Sequence, residues 1–467
     1  MENFKSSERD RPVPADRRRL RLFTLAALEA ILREDLHLTP DVDLCVAYSG
    51  GMDSHVLLHA LAELRRQRPW RVMALHVDHG LQSESARWAR HCTAVCAALD
   101  VPYRTERVVV SDIERRGMED AARRARYAAL SRLLPPDAVL LTAHHRDDQA
   151  ETLLLQLLRG AGTAGLAAMP AMAPFAHGCH GRPFLGFERA ALAVYAKEQG
   201  LQWIDDATNF EVGPARNFLR HRILPLLGER WPAAVDRIAV SAEHMAEADR
   251  LLAELGEIDL AGTADADGGL RISPLLALSL PRQSNLLRFW IRTRTGAPPP
   301  EGRLRELLAR IARTPRSRQA MVSWGDVVVQ RYRDRLTVFP FAQPVADDWE
   351  AVWNLGTVLE IPGNSRRLMA RLEFGAGIAR DRVTGRCVRV RLRRGGERAR
   401  LRGHRHKVKK LLQEAAMPPW ERRHLPLIYV DDELAAIGDR WVCEPYAAKS
   451  NEVGWVLQIT HGKSAHR

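Results

Sequence analysis

Ser49-Gly50-Gly51-Met52-Asp53-Ser54 follows the apolar run Leu44-Cys45-Val46-Ala47-Tyr48 and precedes Val56-Leu57-Leu58-His59-Ala60-Leu61. Read in order, a buried strand turns through two glycines into a helix. Glycine lets the backbone approach a ligand closely, and the first turn of the helix offers unpaired N–H groups at a positive dipole end. The stretch therefore reads as a phosphate site. It is not a kinase or GTPase loop, because the Gly-x-x-x-x-Gly-Lys-Ser/Thr spacing and its lysine are missing. A glycine turn of no chemical interest is the bland alternative. The acid Asp53 and the hydroxyls of Ser49 and Ser54 at the turn argue against it.

Working outward, β-rich runs alternate with helical patterns from residue 40 to about 160. The pattern predicts strands at Leu44 to Tyr48, Val72 to Val77, Tyr103 to Val110 and Ala138 to Ala143, with helices at Ser54 to Gln67, Ser83 to Leu99 and Met118 to Leu134. Such alternation specifies an α/β fold with a doubly wound, mainly parallel sheet, whose ligand site lies at the carboxyl ends of the strands. The informative clusters fall at those ends. Ser49 to Ser54 follows the first strand, His76-Val77-Asp78-His79-Gly80 closes the second, and His144-His145-Arg146-Asp147-Asp148-Gln149-Ala150-Glu151-Thr152 follows the fourth.

Asp53, beside the phosphate-binding amides, is placed to hold Mg²⁺ against a triphosphate, because hard cations bridge carboxylate and phosphate oxygens. Favouring the helix N-terminus would be a second use of the same charge. Asp148 and Glu151 stand three residues apart and share a face if the segment is helical. Such a pair suits a cationic amine, magnesium, or the proton of an attacking amine; a solvated helix start is the alternative. His76, Asp78 and His79 suit phosphate or ribose, or are simply satisfied strand-end polar groups. No fourth-ligand spacing supports zinc. Arg123, Arg124 and Arg126 with Tyr127 read by default as a charged helix face.

Gly160-Ala161-Gly162-Thr163-Ala164-Gly165 spells the dinucleotide fingerprint, but it follows the helix Thr152 to Arg159 and not a strand, so NAD binding is rejected. A helix end running into a mobile substrate loop as far as Arg182-Pro183-Phe184-Leu185 is expected instead. Trp203-Ile204-Asp205-Asp206-Ala207-Thr208-Asn209 supplies acids. The strip Arg216-Asn217-Phe218-Leu219-Arg220-His221-Arg222 then supplies arginines able to reach phosphates. Residues 220 to 320 read as mostly helical, with Arg237 to Leu255 and Arg282 to Thr293 clearest and a hairpin around Arg333-Asp334. The tail alternates at period two in Val388 to Leu392 and becomes very basic from Arg393 to Arg402. Gly403-His404-Arg405-His406-Lys407-Val408-Lys409-Lys410-Leu411-Leu412 reads as a helix with a basic face.

At 467 residues the chain has room for two or three domains. Lys plus Arg number 70 against 57 Asp plus Glu, and this net charge of +13 favours a polyanionic partner such as nucleic acid. The six cysteines are scattered without a Cys-x-x-Cys pair, which suggests neither a disulfide framework nor structural zinc and fits a reducing, cytoplasmic setting. Arg17 to Leu28 has the basic-then-apolar order of a signal peptide. Glu29 and Arg33 interrupt it and its apolar residues recur at helical spacing to Leu36, so an amphipathic first helix is predicted. No run of about 18 apolar residues marks a membrane span.

The Ser-Gly-Gly-x-Asp-Ser string resembles the signature of the PP-loop ATP pyrophosphatases, which cleave ATP to AMP and pyrophosphate and activate an oxygen as a leaving group. Ser49 to Ser54, His76 to Leu81, Ala143 to Thr152, Leu158 to Pro170, Arg182 to Leu185 and Trp203 to Asn209 with Arg216-Asn217 together resemble the tRNA(Ile)-lysidine synthase family. So does the tail from Arg398 to Asp439, including Pro418-Pro419-Trp420-Glu421-Arg422 and Ile437-Gly438-Asp439.

The resemblance implies ATP-dependent ligation of free L-lysine onto the wobble cytidine of the isoleucine tRNA with a CAU anticodon, through an adenylated cytidine. It implies a Rossmann-like PP-loop catalytic domain over 1–225, a mainly helical tRNA-contacting domain over 226–345, and a small basic α+β tRNA-binding domain over 346–467. ATP would contact Ser49, Gly50, Gly51, Met52, Asp53, Ser54 and His76, with Mg²⁺ on Asp53. Asp148 and Glu151 would bind lysine, Arg126 and His144 would join Asp53, Asp148 and Glu151 in the catalytic set, and Arg216, Arg220, Arg222, Arg405, Lys407 and Lys410 would hold tRNA phosphates. The amine must lose a proton to attack, and a carboxylate, His144, His145 and water all remain open as its acceptor. The resemblance also admits a homodimer, to which no segment assigns an interface. The rivals are a tRNA thiolase of the same superfamily, for which only Cys92 and Cys96 come near a cysteine pair, a glutamine-dependent synthetase, for which no glutaminase-like segment is evident, and a tRNA-binding protein with an inactive nucleotide fold.

Overall fold

The structure is a computed structural model that describes residues 22–78, 80, 85–111, 117–205, 213–313, 320–340, 346, 348–362, 366–415 and 417–461. The chain forms two compact units, Met1–Leu252 and Ala253–Arg467. In the first, β1 (Asp43–Ala47), β2 (Arg71–Asp78), β3 (Tyr103–Arg107) and β4 (Val139–Leu141) alternate with α2 (Met52–Gln67), α3 (Ser85–Ala98) and α4 (Met118–Leu133). A preceding α1 (Leu25–Ala30), capped by Thr24, runs into a π turn at Ile31–Asp35. The first-helix expectation thus holds from residue 25; its basic start at Arg17 lies outside the described residues, as do His79, Leu81 and Asp206 to Asn209.

The sheet order is β3-β2-β1-β4-β6-β5, parallel except for β5 (Met172–Phe175) against β6 (Gly178–Gly181). This hairpin corrects the expectation of a loop between residues 160 and 185. After α5 (Arg146–Leu158) and a single turn, α6 (Thr163–Leu166), the chain returns to the sheet and pairs β6 with β4. Its strands are four residues each and contain Pro174, Gly178 and Gly181, so neither apolar alternation nor length betrays them. Both faces of the sheet are covered. Leu44, Val46, Val139 and Leu141 enter one core with α2, while Cys45 and Leu140 enter another with Leu130 of α4 and Leu134 just beyond its end. Burial on both sides explains the unbroken apolar runs that identified these strands.

α7 (Arg189–Glu198), α8 (Ala215–Phe218), a π turn at Leu219–Ile223, α9 (Leu224–Arg230) and α10 (Ala234–Thr263) follow. In the second unit β7 (Leu270–Arg271), β8 (Ala320–Trp324), β9 (Val327–Tyr332) and β10 (Arg335–Pro340) form an antiparallel sheet ordered β7-β10-β9-β8. The expected hairpin is its centre. It shares a core around Trp290 with α11 (Ile272–Ala277), α12 (Leu280–Thr295) and α13 (Glu301–Arg313). Beyond it, β11 (Glu350–Val352), β15 (Val388–Leu392), β18 (Pro426–Val430), β19 (Glu433–Ile437) and β20 (Trp441–Val442) make one sheet. Then β12 (Leu359–Ile361), β13 (Arg366–Phe374), β21 (Val453–His461) and β14 (Ile378–Ala379) make another.

The basic tail segment departs from expectation. Arg398–Leu401 and His404–Lys407 are β16 and β17, an antiparallel hairpin, and the helix α14 begins only at Val408 and ends at Glu414. Arg402 and Gly403 both have positive φ, 48° and 78°, the signature of a two-residue turn whose twist matches that of paired strands. No helix among the described residues is long and apolar enough to cross a membrane.

Candidate active site

β1 lies between β2 and β4, so the strand order reverses there and a crevice opens at the carboxyl ends of β1 and β4. The two segments richest in chemistry leave those two strands. Gly50 has φ +84°, and a Cβ there would stand 3.0 Å from Cys92 Sγ and 3.1 Å from Ile204 Cδ1. Only glycine meets both demands. Its carbonyl accepts a 3.0 Å bond from the Ile204 N–H, which ties the loop to the Trp203 segment. Ser54 Oγ accepts from the Ser49 N–H at 3.2 Å and donates to the Gly51 carbonyl at 3.0 Å, closing the loop on itself. Met52 sends its side chain into the core and brings only its backbone to the turn.

Asp53 stands in the first turn of α2. Its Oδ2 lies 3.5 Å from Arg189 Nε and 3.9 Å from His145 Nε2, whereas Oδ1 is buried without a hydrogen-bond partner among the described residues. An orphaned carboxylate oxygen beside a phosphate loop fits a hard cation. Among the described residues no three His, Cys, Asp or Glu side chains cluster to hold a metal alone. Asp53 is the side chain at this loop that would hold such a cation.

Asp148 and Glu151 share the inward face of α5 and are both buried, Glu151 completely. Arg220 Nε meets Glu151 Oε1 at 2.6 Å, and its Nη2 meets Glu151 Oε2 at 2.9 Å and Asp148 Oδ1 at 3.0 Å. Arg216 Nε lies 3.0 Å from Glu151 Oε2, and its Nη2 donates to Thr152 at 2.7 Å. These two arginines, expected to face tRNA phosphates, instead turn inward onto the acids. The sequence could not show this, because the partners are about 70 residues away and meet only in the fold. Burial lifts the Glu151 carboxyl above its ordinary range despite Arg220 and Arg216. Burial acts the same way on Asp148, but His145, His144 and Arg216 outweigh it and hold that carboxyl low. His145, buried at the N-cap of α5, is pushed down by burial and further up by Asp148, Asp147 and Asp53, for a net rise.

The remaining expected residues are dispersed. His76 is buried, and its Nδ1–H donates to the Tyr48 carbonyl at 2.9 Å. Arg126 is exposed on α4, three residues from Arg123, whose charge reaches His144. Arg222 is exposed on the π turn, Arg405 and Lys407 are exposed on β17, and Lys410 is exposed on α14. Arg189 went unnoticed in the sequence, yet its backbone N–H bonds Asp147 Oδ2 at 3.0 Å and its side chain reaches Asp53. It stands outside every motif, so no local signal marks it. Thr142, His180 and Arg182 also converge on His144.

A mainly parallel sheet with a glycine loop at its reversal point, an acid in the next turn and a second acidic strand end beside it defines a PP-loop ATP-utilising domain. The PP-loop domain family matches residues 25–227, the TilS substrate binding domain matches 270–337 and the TilS substrate C-terminal domain matches 388–459. The chain belongs to the tRNA(Ile)-lysidine synthase family. It is 39% identical to the tRNA(Ile)-lysidine synthase of Coxiella burnetii over 92% of this chain and 96% of that one. With the enzymes of Methylococcus capsulatus and Xanthomonas axonopodis pv. citri it shares 42% identity, covering 89% and 86% of this chain and 95% and 90% of theirs. Among solved structures, the U34-tRNA thiolase NcsA from Methanococcus maripaludis, with its [4Fe-4S] cluster, overlaps 48% of this chain and 77% of its own at TM-score 0.42 and 16% identity.

Proposed function

We propose that this chain uses ATP to ligate L-lysine to C2 of the wobble cytidine in the CAU anticodon of isoleucine tRNA. The observation that carries the reading is the pairing, within one unit, of the Gly50 phosphate loop with a buried acid pair already engaged by cationic side chains. Kinship over most of the chain with tRNA(Ile)-lysidine synthases supports it. In the first step the cytidine O2 attacks the α-phosphorus and pyrophosphate leaves, steadied by the amides of Gly50 and Gly51 and the hydroxyl of Ser49, while Ser54 holds the loop in shape. In the second the lysine ε-nitrogen forms a bond to C2, the C2–O bond breaks, and AMP departs with that oxygen. Asp53 would hold Mg²⁺, which when bound neutralises developing charge on the phosphates.

Asp148 and Glu151 would bind the lysine amine. The Arg220 guanidinium sits on both carboxylates, so lysine must displace it or share them with it. Asp148, Asp147 and Asp53 flank His145 and favour its protonated form. Exposed Arg222, Arg405, Lys407 and Lys410 would meet tRNA phosphates. Against the thiolase alternative, burial pushes the thiols of Cys92 and Cys96, the two cysteines nearest to a pair, up to about 12.

Domains over 1–225, 226–345 and 346–467 are proposed; cores around Leu57, Trp290 and Val390 support these three, while the two compact units divide at 252/253, inside α10. A cytoplasmic site fits six free cysteines. The homodimer is tested by sedimentation of the full chain. Incubation with ATP, Mg²⁺, radiolabelled lysine and unmodified isoleucine CAU tRNA tests the activity, with methionine tRNA and Asp53→Asn as controls. Label in the isoleucine tRNA only, lost in the variant, is expected. Pyrophosphate release without label would point to another nucleophile, and no turnover would leave a binding protein.

A further inference from the structure

Three side chains with no part in the scheme above lead in a line to His144. Arg182 donates from Nη1 to the Pro170 carbonyl at 2.7 Å, and its Nη2 stands 3.0 Å from His180 Nδ1. A guanidinium has donors only and stays protonated, so His180 Nδ1 must accept and the neutral ring carries its proton on Nε2. That N–H faces Thr142 Oγ1 at 2.8 Å and donates to it. Thr142 is buried, and its other side-chain partner among the described residues is His144 Nδ1 at 2.7 Å. If both rings donated to the hydroxyl, its own proton would be buried unpaired, at a cost of about 1–3 kcal/mol. The hydroxyl proton therefore goes to His144 Nδ1, and the His144 proton sits on Nε2.

We propose that the Arg182–His180–Thr142 chain locks His144 in the neutral Nε2–H tautomer, which makes His144 a hydrogen-bond donor to an oxygen of the nucleotide or cytidine and excludes it as acceptor of the amine proton. What His144 donates to rests on the lysine-transfer reading; the tautomer does not. Thr142, His180 and Arg182 are positioning residues. Of the charges that face His144, Asp148 favours a cationic ring, while burial and Arg182, Arg216 and Arg123 oppose it and hold it down to about 3. Burial, Arg182, His144 and Arg123 hold His180 down to about 3 as well. Among the described residues no hydrogen bond engages His144 Nε2, so its N–H is available to a substrate. The amine's proton then goes to a carboxylate or to water.

The test is long-range ¹H–¹⁵N spectroscopy of the full chain labelled at histidine rings, with His144 assigned by its absence in His144→Gln. Wild type should show a protonated Nε2 and a bare Nδ1, unchanged from pH 8 to pH 5.5. His180→Gln keeps an acceptor for Arg182 and a donor for Thr142, and should preserve both the spectrum and the pH profile of lysine ligation. His180→Leu and Thr142→Val, checked for folding by thermal melting, should mix the tautomers. Each should add an acid limb to the ligation profile that lowers the rate at least 5-fold at pH 6 relative to pH 8. A proton on Nδ1, an imidazolium at pH 7, or an unchanged spectrum in a folded His180→Leu or Thr142→Val protein overturns the proposal. The spectrum needs no substrate, so a wild type that incorporates no lysine refutes the ligase reading and leaves the tautomer to be judged separately.

Discussion

Gly50 combines a left-handed backbone with contacts to Cys92 and Ile204 that leave no room for a Cβ. Gly50→Ala is expected to cost about 1–3 kcal/mol of stability and to reduce ATP-dependent pyrophosphate release more than 10-fold, measured by thermal melting and a pyrophosphate assay. Unchanged turnover would remove the loop from the phosphate site. A few residues away in space, Glu151 is entirely buried and depends on Arg220 and Arg216. A double-mutant cycle of Glu151→Gln with Arg220→Gln should give a coupling of about 1–3 kcal/mol, because removing either partner alone strands the other in a dry site. Additive losses in urea unfolding would mean the pair is not formed in solution.

At the scale of elements, legibility followed locality. The phosphate loop was readable because strand, glycines and helix follow one another directly between Leu44 and Leu61, and each imposes its own pattern. The inward turn of Arg216 and Arg220 was not, since a basic strip looks the same whether it meets solvent or a carboxylate across the fold. The β5–β6 hairpin carries no apolar alternation to announce it, and the basic run through β17 has the pattern of a helix even though Arg402-Gly403 is a workable turn. That second hairpin sets Arg398 opposite Lys407 and Arg400 opposite Arg405, all exposed. Like charges facing across strands destabilise a sheet, which suggests a polyanion as their partner. Replacing Arg400 and Arg405 with Ser should leave the melting temperature unchanged or higher. It should also lower the steepness of tRNA affinity against log salt by up to about 2, read by filter binding. An unchanged slope would take this hairpin off the RNA surface.

At the scale of the whole molecule, the histidines held below their ordinary range among the described residues, His55, His59, His76, His144 and His180, belong to the unit Met1–Leu252. Groups whose ionisation is depressed by folding leave stability intact above about pH 6.5 and erode it as pH falls toward the folded value. For His180, buried and held to about 3, the loss is on the order of 2 kcal/mol by pH 5. Calorimetry from pH 7.5 to pH 4.5 should therefore show the first unit melting progressively earlier than the second, and His180→Gln should flatten that trend. Parallel shifts of both transitions would contradict it. The ion pairs that join Arg220 to Glu151 and Asp148 span 69 and 72 residues of chain. At about 5–20 residues per second on a ribosome, the acids emerge roughly 3 to 15 s before the arginine that neutralises them. During that interval Glu151 lacks its cationic partner Arg220, so burying the inward face of α5 costs more than it does in the finished chain. A chain ending before Arg216 would leave Glu151 without either arginine that engages it here.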